Sequence, residues 1–75
     1  MVQIREIGYY VEITDKEVEG FPRFFTNETA ALAEVRKLEV HGTQEGLNSG
    51  DTIRGFYWSG KGEVTLPSGT RRVQA

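Results

Sequence analysis

Asp51-Thr52-Ile53-Arg54-Gly55-Phe56-Tyr57-Trp58-Ser59 sets three aromatic residues in consecutive positions behind a β-branched isoleucine. That composition suits a pleated, half-buried surface better than a helix, and the stretch reads as a central strand. Side chains alternate across a sheet, so Arg54, Phe56 and Trp58 share one face while Ile53, Gly55 and Tyr57 share the other. Both faces carry large apolar area, and only one can meet the element that closes the core. In one arrangement Phe56 and Trp58 pack under that element with Tyr57 at the surface. In the other, Phe56 and Trp58 point outward.

Upstream, Gly8-Tyr9-Tyr10-Val11-Glu12-Ile13-Thr14 alternates, with Tyr9, Val11 and Ile13 on the expected core face. Charge and a glycine in Asp15-Lys16-Glu17-Val18-Glu19-Gly20 interrupt it. Phe21-Pro22-Arg23-Phe24-Phe25 then returns as a short strand, and Pro22, which has no ladder donor, places the strand at an edge or itself at the strand's first residues. Thr26 or Asn27 supplies a helix cap and Glu28 suits the positive end of the helix. The helix is predicted to run to Val40 or His41. Ala31, Leu32, Val35 and Leu38 form its apolar stripe, Glu34 and Lys37 pair on the wet side, and Gly42 stops it.

Downstream, residues 43–50 are polar and glycine-bearing and predict a loop, the segment expected to move most. After the aromatic strand come a turn at Ser59-Gly60-Lys61-Gly62, a strand at 63–66, a turn at Pro67-Ser68-Gly69 and a last strand at 70–74. The order β-β-α-β-β-β predicts an α+β fold in which one helix packs on one face of a single antiparallel sheet. One helix cannot cover both faces, so the opposite face is left to solvent or to a partner.

A chain of 75 residues is one domain, 1–75, and at this size folding buries only about 60% of the unfolded surface. The aromatic residues must supply much of that core, at ~150–250 Å² each. Without cysteine, neither disulfides nor thiolate metal sites hold the fold. No apolar run approaches the ~20 residues that span a bilayer, and Met1-Val2-Gln3-Ile4-Arg5 leads into no signal-peptide core, so a cytoplasmic location is expected. Net charge is −2, but acids concentrate in residues 1–45 while Arg54, Lys61, Arg71 and Arg72 outnumber Asp51 and Glu63 in the remainder.

Chemistry finds little support. His41, Ser49 and Asp51 include the residue types of a hydrolytic triad but lack a glycine-flanked nucleophile turn. Glu12, Glu17, Glu19 and Glu39 have no calcium-loop spacing, and one histidine without cysteine is a poor transition-metal set. Gly60-Lys61-Gly62 is too short for a phosphate loop and opens no helix. No enzyme, cofactor or metal site is expected.

Binding is the expected function. Interface hot spots favour Trp, Tyr and Arg, which makes Tyr10, Phe24, Arg54, Tyr57 and Trp58 the anchors for a protein partner or a homodimer. Small chains of this kind serve as inhibitors or adaptors acting on larger complexes, including those made by bacteriophages. The alternative is single-stranded nucleic acid: Arg54-Gly55-Phe56-Tyr57-Trp58 has the basic-glycine-aromatic spacing of RNA-recognition and cold-shock strands, with Phe56 and Trp58 as a stacking platform and Arg54 and Lys61 for phosphates. The entry from Phe25-Thr26 into an alanine-bearing helix after a hairpin resembles the small arm-type DNA-binding domains of phage integrases. The strands after the helix and the acidic balance depart from that pattern, and no residues carry over.

Overall fold

The computed structural model describes residues 6–14 and 16–74. Residues 1–5, read above for a signal peptide, and Asp15, read as part of the first turn, lie outside them. Strands β1 (Gly8–Ile13) and β2 (Arg23–Phe25) precede helix α1 (Glu28–His41), and β3 (Thr52–Trp58) and β4 (Glu63–Arg72) follow it. The strands form one antiparallel sheet in the order β2-β1-β3-β4. The fold is α+β, with α1 packed on one face.

Local chemistry explains each element. Asn27 caps α1, its side-chain oxygen accepting the Ala30 N–H at 2.8 Å, which satisfies a donor that the first helical turn leaves free. Ala31, Val35 and Leu38 turn inward from α1 onto Val11 and Ile13 of β1 and Ile53 of β3, where Leu47, Leu66 and Val73 complete the core. The odd-numbered face of β1 is therefore the core face. The same parity in β3 sends Ile53, Gly55 and Tyr57 toward the helix, and Tyr57 meets Tyr9 there with ring centroids 5.0 Å apart. The arrangement with Phe56 and Trp58 under the helix is thereby overturned: Gly55 leaves the space that a methyl of Val35 fills, 3.2 Å from where a β-carbon would stand.

One local expectation holds in a different geometry and two are corrected. α1 ends at His41 with Gly42 as its C-cap, as expected, but Gly42 has φ −59° and the chain tightens there into a 3-10 turn, Gly42–Glu45, that Gly46 closes at φ 94°. Gly42 is small for another reason, since a β-carbon there would lie 2.9 Å from both methyls of Val73. Residues 43–50 are not a free loop: Leu47 is buried, the Leu47 N–H reaches the Gly42 carbonyl, and the Gly50 N–H reaches the Val73 carbonyl.

Finally, the two predicted terminal strands are one continuous strand. Phe56 pairs with Thr65 but Arg54 pairs with Thr70, so Gly55 alone faces Leu66, Pro67, Ser68 and Gly69. The residues read as a hairpin turn form a bulge, with Ser68 at φ 59°. The bulge drops Leu66 into the core, with its Cδ1 3.6 Å from where a Gly55 β-carbon would stand.

Candidate functional site

The face of the sheet away from α1 carries Gly8, Tyr10 and Glu12 of β1, Phe24 of β2, Arg54, Phe56 and Trp58 of β3, and Glu63 and Thr65 of β4. It is closed in part by its own side chains. Phe56 is fully buried: the Tyr10 ring stacks beside it at 5.7 Å and the Arg54 guanidinium lies 4.5 Å from its centroid on a cation–π contact. Arg54 is fixed from both flanks. Its Nε donates to Glu12 at 2.7 Å, its Nη1 to the Thr65 hydroxyl, and its Nη2 to Glu63. Partial burial opposes the guanidinium's charge, yet the Glu63 and Glu12 carboxylates hold it more firmly protonated than usual.

Tyr10 is sealed as well. Its hydroxyl donates to the Glu6 carbonyl at 2.8 Å, and burial, with the Glu6 charge adding to it, pushes the phenol above its ordinary range.

The apolar part of this face that remains open is a corner. Phe24, 41% exposed, lies edge-on to Tyr10 at 5.2 Å and leans across Gly8, where a β-carbon would overlap its ring. Trp58, half-buried, is the cross-strand neighbour of Gly8 on the other side. A glycine thus sits between two partly exposed aromatics. The sequence reading missed Gly8, whose signal was its place immediately before the Tyr9-Tyr10 alternation. It also missed Ile7, Val40 and Val64, which are exposed.

The predicted anchors divide between the faces. Phe24 and Trp58 flank the corner, with Tyr10 and Arg54 packed beneath and beside it, whereas Tyr57 belongs to the helix side and does not share the surface. Of the predicted nucleic-acid set, Phe56 presents no ring face to solvent and Arg54 is already engaged by two carboxylates. A base on this face would meet Trp58, with exposed Lys61 in the adjoining turn.

The remaining polar residues have structural partners. Ser49 donates to the Gln74 carbonyl at 2.9 Å, and Asp51 accepts the Asn48 N–H and pairs with Lys16 at 2.8 Å. Among the described residues no hydrogen bond joins His41 to either. Arg23, Glu34, Lys37 and Glu45 form an ion-pair chain that ties β2 to α1 and the 3-10 turn. Among the described residues no group of three or more His, Cys, Asp or Glu is placed to hold a metal ion, and no helix is long and apolar enough to cross a membrane. No protein-family model, curated protein or solved structure matches the chain.

Proposed function

We propose that this chain is a non-enzymatic protein-binding module, a small inhibitor or adaptor of a larger complex, that docks through the Phe24–Gly8–Trp58 corner. The observation that carries the reading is the exposure of Phe24 across Gly8 from Trp58 on the face that α1 leaves uncovered. Two aromatics of this kind, set beside a closed and rigid floor of Tyr10, Phe56 and Arg54, have the composition of an interface hot spot. The partner is not needed to complete the core. The chain exposes 4798 Å², close to the ~4,600 Å² of a compact monomer of its mass, which favours a reversible partner over an obligate one.

Affinity capture with the wild type and with Phe24→Ser/Trp58→Ser, both confirmed folded by circular dichroism, tests the reading. A partner retained by the wild type and lost by the variant, then reproduced with the purified partner, is expected. Equal retention by both overturns the assignment of the corner. Titration of Trp58 fluorescence with single-stranded oligonucleotides at low and moderate salt separates the alternative. Salt-sensitive quenching would replace protein binding by nucleic-acid binding through Trp58 and Lys61.

A further inference from the structure

We propose that the outer edge of β4 at Thr70-Arg71-Arg72 accepts a short, extended, acidic segment of another protein as a fifth strand. This surface is distinct from the aromatic corner. Among the described residues β4 is the outermost strand and pairs with β3 on one side only. Apart from Leu66 and Gly69, all its residues are exposed. The Val73 N–H is committed to the Asp51 carbonyl, and the pairing from Thr52↔Arg72 to Arg54↔Thr70 is regular. Alternate residues of an antiparallel strand turn their backbone groups to opposite sides, so Thr70 and Arg72 turn theirs outward, toward an incoming strand.

Charge selects the occupant. Arg71 and Arg72 form no ion pair among the described residues. They pair with Ile53 and Thr52 respectively, which puts Arg71 on the helix face and Arg72 on the other. A second copy adding at this edge would set arginines against arginines, an unfavourable cross-strand pairing that guards the edge against self-association. An added strand with two adjacent carboxylates would set one against each arginine, because its successive side chains also alternate. Pro67 and the bulge interrupt the edge beyond Thr70 and limit the ordered contact to a short segment.

The test uses the full chain, isotopically labelled, and three synthetic peptides of about eight valine and threonine residues. One carries a central Glu-Glu pair, one a Lys-Lys pair, and one two glutamates placed on the same face. The Glu-Glu peptide is expected to shift the backbone amides of Thr70 and Arg72 and to bind roughly tenfold more tightly than the Lys-Lys peptide. Its lead over the same-face peptide should be smaller but measurable. R71E/R72E should reverse the preference, and Phe24→Ser/Trp58→Ser should leave it unchanged, so the edge and the corner stand or fall separately. Equal binding of the charged peptides, or no movement of these amides at millimolar Glu-Glu peptide, overturns the proposal.

Discussion

Gly69→Ala probes the bulge that sets the course of β4. A β-carbon at this position would lie 2.8 Å from the Gly55 carbonyl oxygen, 2.8 Å from the Leu66 carbonyl oxygen and 3.1 Å from Leu66 Cβ. The two nearest atoms belong to the backbone, one of them in a strand paired on both sides, so no side-chain rotation relieves the overlap. Two responses are open. The ladder can deform around the methyl group, which costs ~1–3 kcal/mol as overpacking generally does. Alternatively the bulge opens and Leu66, now 6% exposed, leaves the core and forfeits ~1.5–3 kcal/mol of burial. The chain takes the less costly route, so a loss of about 2 kcal/mol is expected. For a domain of this size that lowers Tm by about 8–16 °C. Gly62→Ala is the control, because nothing lies within 4 Å of its β-carbon and its φ is not left-handed. It should change stability by no more than about 0.5 kcal/mol. Urea unfolding of the three proteins, with the m-value compared alongside the midpoint, measures both. If Gly69→Ala falls within about 0.5 kcal/mol of the wild type, the bulge is soft and does not fix Leu66.

Arg54→Met removes two partly exposed ion pairs, at ~0.2–1 kcal/mol each, and a cation–π contact of ~0.5–1 kcal/mol. Chemical denaturation should show a loss of roughly 1–2 kcal/mol that narrows at high salt, and a gap that salt does not change would count against the ion pairs. The Asp51 carboxyl lies below its ordinary range, because hydrogen bonds from Lys16 and the Asn48 N–H favour its ionised form more than burial opposes it. A pKa lowered by folding contributes stability that is present above the unfolded value and lost as pH falls through the folded one. Asp51→Asn should therefore be the less stable protein at neutral pH, and its unfolding curve should converge on the wild type's below the usual carboxylate range of ~4; parallel curves would refute the assignment. In Gly8→Ala the new methyl displaces the free end of a side chain, so Phe24 should swing off β1 at a cost of ~0.5–1.5 kcal/mol. Loss of the Tyr10–Phe24 nuclear Overhauser contacts would report the movement, and their persistence would show that the ring does not depend on the glycine.

The parts of the fold legible in the sequence were those with local, repeated signals. Alternation at Tyr9, Val11 and Ile13, the spacing of Ala31, Val35 and Leu38, and the capping chemistry of Asn27 each depend on neighbours within a few residues. What misled was punctuation whose meaning is set by distant contacts. Pro67-Ser68-Gly69 is consistent with either a hairpin turn or a bulge. The choice falls to the bulge because Leu66 finds room above Gly55 and beneath Val35, across the sheet from its own sequence neighbours. Gly42 does cap α1, but the contact that keeps it small is with Val73, far along the chain. Residues 43–50 read as free because their partners, Val73 and Gln74, come later. The aromatic strand was legible as a strand but its inward face was not, since both parities are greasy. Gly55, which admits Val35, is the residue that decides it.

A lone helix leaves one greasy face of the sheet uncovered, yet the face away from α1 supplies part of its own cover. Tyr10 and Phe56 stack there and Arg54, clamped between Glu12 and Glu63, lies over the ring, so the available apolar surface contracts to the Phe24–Gly8–Trp58 corner. The basic edge lies elsewhere. Trp58 and Thr52 stand at opposite ends of β3, about 20 Å apart at ~3.3 Å per residue, and Arg72 pairs with Thr52. Sites so far apart with no shared side chain perturb each other little. Combining Phe24→Ser/Trp58→Ser with R71E/R72E should therefore lower stability by the sum of the two separate changes to within about 0.5 kcal/mol, as measured by denaturant unfolding. A larger discrepancy would mean that β3 couples its two ends, and that the corner and the edge form one surface.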